Sequence, residues 1–122
     1  MKDKEKLDQL LQKVLSFVQK RGYKEIKTTY SDEYDDPKSF KQMSTGELIT
    51  PLITALDRGH KHYFELAMKH ENVQDLVSKW KLMILMANHK KGVLHLFAPR
   101  GHKAFVERLC EDYKLEAKVI AI

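Results

Sequence analysis

Leu48-Ile49-Thr50-Pro51-Leu52-Ile53-Thr54-Ala55-Leu56, then Asp57-Arg58-Gly59-His60, then Lys61-His62-Tyr63-Phe64-Glu65-Leu66-Ala67-Met68-Lys69: residues 48–69 read as two apolar strands joined by a tight turn, a β-hairpin. With Arg58 and Gly59 as its tip, Leu52 faces Glu65, Ile53 faces Phe64 and Thr50 faces Ala67 across the ladder. Side chains alternate between the two faces of a strand. Ile49, Ile53, Phe64, Leu66 and Met68 are therefore expected on a core face, and Thr50, Leu52, Thr54, Tyr63, Glu65, Ala67 and Lys69 on the other. A carboxylate, Glu65, thus stands in the middle of a strand otherwise built for a core, and a site is sought around it.

Outward from the hairpin the apolar period changes several times. Leu7, Leu10, Leu11, Val14, Leu15 and Val18 recur at helical spacing and Gly22 follows as a terminator, so residues 3–20 are expected to form an amphipathic helix. Tyr23 to Tyr30 reads as a short strand, and Ser31 to Gly46, with Asp32, Glu33, Asp35, Asp36 and Pro37, as the long irregular connection. Beyond the hairpin, Asn72 is a helix cap, and Val73, Leu76, Val77, Trp80, Met83, Ile84 and Ala87 trace a second long helix ending before Gly92. Val93 to Ala98 suits a buried strand. A third helix follows with Ala104, Phe105, Leu109 and Cys110 on its apolar side, and Glu116 to Ile122 closes as a strand. The order α-β-β-β-α-β-α-β predicts a three-layer α/β domain over residues 1–122, with a mixed sheet of about five strands, helices on its faces, and the last two strands parallel through a crossover.

With 122 residues, the chain has the length of a single domain with one core. No apolar run approaches the roughly 18 residues of a membrane span, and the start, Met1-Lys2-Asp3-Lys4-Glu5-Lys6, lacks the apolar stretch of a signal peptide, so no membrane partner and a cytoplasmic location are expected. The single cysteine, Cys110, leaves neither a disulfide nor a thiolate zinc site to build. A formal charge of +5 leans towards a polyanion. Lys79, Lys81, Lys90, Lys91, Arg100 and Lys103 gather around the second and third helices as a candidate phosphate-contacting patch, for which a solvated face is the ordinary reading. His60, His62 and His70 are close in sequence, but their spacing fixes no third metal ligand. There is no glycine-rich phosphate loop, dinucleotide fingerprint or serine or cysteine nucleophile motif.

The element order, with a carboxylate on the third strand just before a long helix, resembles the PD-(D/E)xK, or restriction endonuclease-like, nuclease superfamily. The resemblance covers most of the chain. Its anchors are Pro51-Leu52-Ile53-Thr54-Ala55 at the Pro-Asp motif, Tyr63-Phe64-Glu65-Leu66-Ala67 at (D/E)-x-K, and the helix bearing Gln74, Lys79 and Trp80. It implies magnesium held between two carboxylates of the hairpin and a lysine that activates water, because phosphodiester cleavage needs charge neutralised on the attacking and leaving oxygens. This chain departs from the pattern at both other signature positions: Leu52 stands where the second acid would face Glu65, and Ala67 stands where the lysine would be.

The resemblance with its departures implies a degenerate member: a nuclease-like domain with an incomplete metal site, non-catalytic, binding nucleic acid or a protein partner. Glu65 would then be a remnant or an ion-pair partner of Lys61, Lys69 or Lys79. The nucleic-acid contacts would come from Gln74, Lys79, Lys81, Arg100 and Lys103. No cofactor is expected unless the site is active. In that alternative, an active magnesium-dependent nuclease uses relocated groups: Lys69, about 13 Å along the strand from Glu65, and a metal set of Glu65 with Asp35 and Asp36 from the acidic loop. A further alternative is a homodimeric structural protein that pairs through its last strand or through Tyr30 and Tyr34.

Overall fold

The computed structural model describes residues 2–43 and 45–122. Its elements are α1 (Lys2–Lys20), β1 (Lys24–Thr28), β2 (Phe40–Lys41), β3 (Leu48–Ile49), β4 (Ile53–Asp57), β5 (His60–Leu66), α2 (Val73–His89), β6 (Leu94–Ala98), α3 (Lys103–Asp112) and β7 (Ala117–Ala121). Five strands form one mixed sheet in the order β1-β4-β5-β6-β7. Its β1, β4 and β5 are antiparallel neighbours, while β5, β6 and β7 run parallel. The expected α/β class, the sheet of five strands and the parallel pairing of the last two are all present.

The hairpin has the expected register: Ile53 pairs with Phe64, Thr54 with Tyr63, Ala55 with His62, Leu56 with Lys61 and Asp57 with His60. Its tip is the expected one too. Arg58 and Gly59 both adopt positive φ, at 54° and 82°, as a two-residue turn matched to strand twist requires.

Leu48 to Leu56, expected as one strand, is broken at Thr50-Pro51-Leu52. Pro51 has no N–H for the ladder and is buried. Leu48–Ile49 pairs instead with Phe40–Lys41, inside the segment expected to be irregular, to make a separate two-stranded ribbon; Ser44, in that segment, lies outside the described residues. The break divides the expected core face. Ile49 packs in the cluster beneath α2 and α3, whereas Ile53 packs beneath α1. At its other end β5 stops at Leu66, so Met68 and Lys69 lie beyond the strand.

Both sheet faces are covered by helices, as the three-layer reading expected. Val14, Leu15 and Val18 of α1 pack on Ile53, Ala55, Phe64 and Phe97, with the Phe17 and Phe97 rings edge to face at 5.0 Å. On the opposite face Trp80, Met83 and Ala87 of α2 and Val106 and Leu109 of α3 meet Tyr63, Ala67, Leu94, Leu96 and Ala98. All five residues of β6 are buried, as expected of a parallel strand with neighbours on both sides and helices on both faces. In α3 the buried residues are Val106 and Leu109, with Ala104 exposed, so its apolar stripe is turned from the expected one.

The Asn72 side chain caps α2 by accepting from Asp75 N at 3.0 Å. The helix ends in a turn through Lys91, at φ 61°, and Gly92, whose N–H donates to Ala87 O at 2.8 Å. A Cβ on Gly92 would lie 1.7 Å from the backbone oxygen of Lys61, so the turn can sit against the start of β5 only with glycine there. Backbone cannot yield as a flexible side chain would. Gly92→Ala is expected to cost about 3 kcal/mol or more, read as a lowered midpoint in urea unfolding, whereas Gly101→Ala, which meets nothing within 4 Å, is expected to cost only its backbone strain.

Candidate functional site

Alternation along β5 puts Tyr63, Glu65 and Ala67 on the face covered by α2. Leu52, the residue just before β4, donates its backbone N–H to Glu65 Oε2. The carbonyl of Leu52 accepts from Thr28 Oγ1 at 2.8 Å, so side chains from β5 and β1 hold the Leu52 peptide groups where the ladder is interrupted. Lys79, on α2, is the charged side chain whose field favours the ionised carboxyl; its Nζ also lies 3.4 Å from Asp75 Oδ2. Burial outweighs these influences. Desolvation is the largest effect, and with the Leu52 hydrogen bond and Lys79 opposing it, the Glu65 carboxyl is pushed up from 4.5 to about 7.

Of the expected partners of Glu65, Lys79 is its charged neighbour, whereas the signature position and the proposed metal set lie elsewhere. Ala67 is fully buried in the apolar cluster under α2. Lys69 is exposed beyond the end of β5 and donates its backbone N–H to His102 Nδ1 at 2.9 Å, so no continuous strand carries it along the Glu65 face as expected. Asp35 and Asp36 are exposed, with Asp35 tied by its carbonyl to Thr28 N at 3.0 Å, at the end of the edge strand β1. Among the described residues no three His, Cys, Asp or Glu side chains gather as a metal site, so Glu65, Asp35 and Asp36 are not assembled as a ligand set.

The expected phosphate contacts are divided between two places. Gln74 Nε2, on α2, donates to Tyr113 Oη at 3.2 Å, and Lys81 Nζ lies 5.9 Å from the centre of the same ring. Arg100 and Lys103 are exposed at the start of α3.

A different lysine group was not foreseen. Lys61 alternates with Tyr63 and Glu65 along β5, and its Nζ lies 5.6 Å from the centre of the Tyr63 ring. Burial is the first cause of its lowered pKa, and the fields of Lys27, Lys90 and Lys38 add to it. Lys27 pairs with Thr54, which pairs with Tyr63, so the sheet register carries Lys27 to the Lys61 side. The two lysines border a hollow of about 200 Å³ with Glu25, Thr54 and Leu56. Alternation alone would have found Lys61, but the others come from β1, from the loop before β2 and from the end of α2.

The opposite sheet face holds a second unforeseen group. His62 Nδ1 lies 3.1 Å from His95 Nε2, and the His95 ring stacks on Phe64 with centroids 4.7 Å apart. Tyr23 stands edge-on to His62 and Phe64. Burial, then His62 and Lys118, push His95 down to about 4; burial also lowers His62, with Asp57 opposing. His95 Nδ1 is buried without a hydrogen-bond partner. Alternation along β5 puts His62 on the Phe64 face, but its meeting with His95 depends on the β5–β6 register, in which Phe64 pairs with His95.

Neither protein-family models, nor curated proteins, nor solved structures give a match to this chain.

The two faces titrate with opposite sign. Glu65 has a folded pKa above its ordinary 4.5, so the folded state holds the extra proton between about 4.5 and 7; the stability this provides is complete below 4.5 and is lost as pH rises through 7. His95 has a folded pKa below 6.5, so its contribution is present above 6.5 and is lost as pH falls towards 4. Glu65→Gln, which keeps an acceptor for Leu52 N–H, is expected to stabilise the protein above pH 8 by about 1–3 kcal/mol, residual exposure of the side chain reducing the effect. His95→Leu is expected to flatten the acid limb. Urea unfolding followed across pH with both variants checks the two signs independently.

Proposed function

We propose that this chain is a degenerate member of the PD-(D/E)xK superfamily, a restriction endonuclease-like domain that has lost its catalytic metal centre and binds nucleic acid through the lysines gathered around Lys61. The element order and the mixed sheet, with its central β4–β5 hairpin, support the fold assignment. One observation carries the non-catalytic reading: the carboxyl of Glu65 is engaged by the Leu52 backbone N–H, with Lys79 as its charged neighbour. That is how a protein stabilises a buried acid with its own groups. A magnesium site would instead aim several oxygen ligands at one point.

Lys27, Lys38, Lys61 and Lys90 support the binding half of the reading. Burial lowers the pKa of Lys61, and the fields of Lys27, Lys90 and Lys38 add to that lowering. Mutual repulsion costs stability in the free protein and is relieved when phosphates neutralise it, with release of counterions.

Two measurements test this. Plasmid and single-stranded DNA incubated with the protein and magnesium or manganese are expected to stay intact; cleavage that Glu65→Gln abolishes would replace this reading with an active nuclease using relocated ligands. In fluorescence polarisation with a labelled oligonucleotide, Lys27→Glu with Lys61→Glu is expected to reduce the slope of log K against log salt by about 2, at roughly 0.9 per phosphate contact. An unchanged slope would remove these lysines from the interface.

A further inference from the structure

The first two turns of α1 overhang the sheet. Of its apolar stripe, Val14, Leu15 and Val18 are buried, but Leu10 is only half-buried and Leu7 is 40% exposed. These two leucines face a crevice of about 520 Å³ at the carboxyl ends of the parallel strands β5, β6 and β7. Met68, following β5, and Ile122, following β7, complete its apolar lining. Lys6 and Lys13 border it along α1, and Arg100, in the loop after β6, contributes a third cation. Among the described residues no carboxylate side chain lines it. His102 is also at the wall, its Nδ1 accepting from the Lys69 N–H at 2.9 Å.

This combination has a chemical meaning. An apolar lining favours hydrocarbon by removing it from water, and three permanent cations around it favour an anionic head over a neutral or cationic one. Lys6 and Lys13 are seven residues apart, two turns or about 10 Å of helix, so a chain along Leu7 and Leu10 ends near a lysine in either direction. We propose that this crevice is a binding site for a small amphiphilic organic anion, of the class of medium-chain fatty carboxylates. It is separate from the Glu65 face and does not depend on the function proposed for that face.

Calorimetric titration of the full chain with decanoate, decyltrimethylammonium and decanol tests the site. Decanoate is expected to bind saturably below about 1 mM and more tightly than decanol, and decyltrimethylammonium not to bind. Lys13→Glu with Arg100→Glu, both exposed in the parent, is expected to weaken decanoate by about tenfold or more. Leu10→Ser is expected to weaken decanoate and decanol alike. A circular-dichroism melt confirms that each variant is folded. Equal binding of the cationic amphiphile, or decanoate affinity unchanged in the charge-reversed variant, overturns the proposal. So does absence of saturable binding, whether sedimentation then reveals a second copy covering the crevice or vesicle flotation reveals adsorption to an anionic lipid surface.

Discussion

The ladder between β4 and β5 is the constraint from which the rest of the molecule takes its geometry. The positive-φ turn at Arg58 and Gly59 admits one pairing, and a slip of one residue would send every side chain of both strands to the opposite face. In the register observed, Phe64 enters the core under α1, Tyr63 and Ala67 enter the core under α2, and Glu65 meets the backbone of Leu52. The parallel strands are built outward from β5. Lys61 N–H reaches Lys90 O at 3.4 Å, and the close approach at Gly92 seats the end of α2 beside the first residues of the hairpin.

Two buried titratable groups on opposite faces of this sheet are held in their uncharged forms by the same cause, loss of water, with opposite consequences. Neutrality for Glu65 means retaining a proton, and for His95 it means giving one up. Each has a structural use. The carboxyl supplies an acceptor where Pro51 interrupts the strand, and the imidazole supplies a flat surface for Phe64. The lysine group beside Glu65 has no such structural explanation, since Lys27, Lys38 and Lys90 raise the cost of keeping Lys61 charged. A fold that brings like charges together has them available for an external partner.

Most of the architecture was legible because it is written in local pattern. Period-two alternation and an Arg-Gly turn give the hairpin, an Asn cap and helical spacing give α2, and a compact apolar run gives β6. The errors have physical causes. Pro51 should have been read as a break, since it has no donor for the ladder; the apolar residues around it masked that. β5 stops at Leu66, whose pairing with Phe97 is the last between β5 and β6, and nothing between Ala67 and Lys69 encodes that stop. At the site, Glu65 and its opposition to Leu52 were legible from register. Lys38 and Lys90 beside Lys61, and His95 beside His62, were not, because those meetings depend on pairings between segments far apart in the chain. The position of Lys69 was misjudged with the strand end.

The sheet also contains an order of assembly. Its hairpin closes over a two-residue turn, whereas β5 and β6 join positions about thirty residues apart and must wait for α2 to span them. A β4–β5 pair closed before α2 docks would leave one long edge of β5 open, rich in Tyr63, Phe64 and Leu66, and able to accept a strand from another chain. Glu65 sits in the middle of that edge. Ionised and hydrated before α2 docks, it places a charge in the segment most prone to mispairing, and gives that charge up only as the native neighbours arrive. The carboxylate that is costly in the finished fold is thus a guard on the unfinished one.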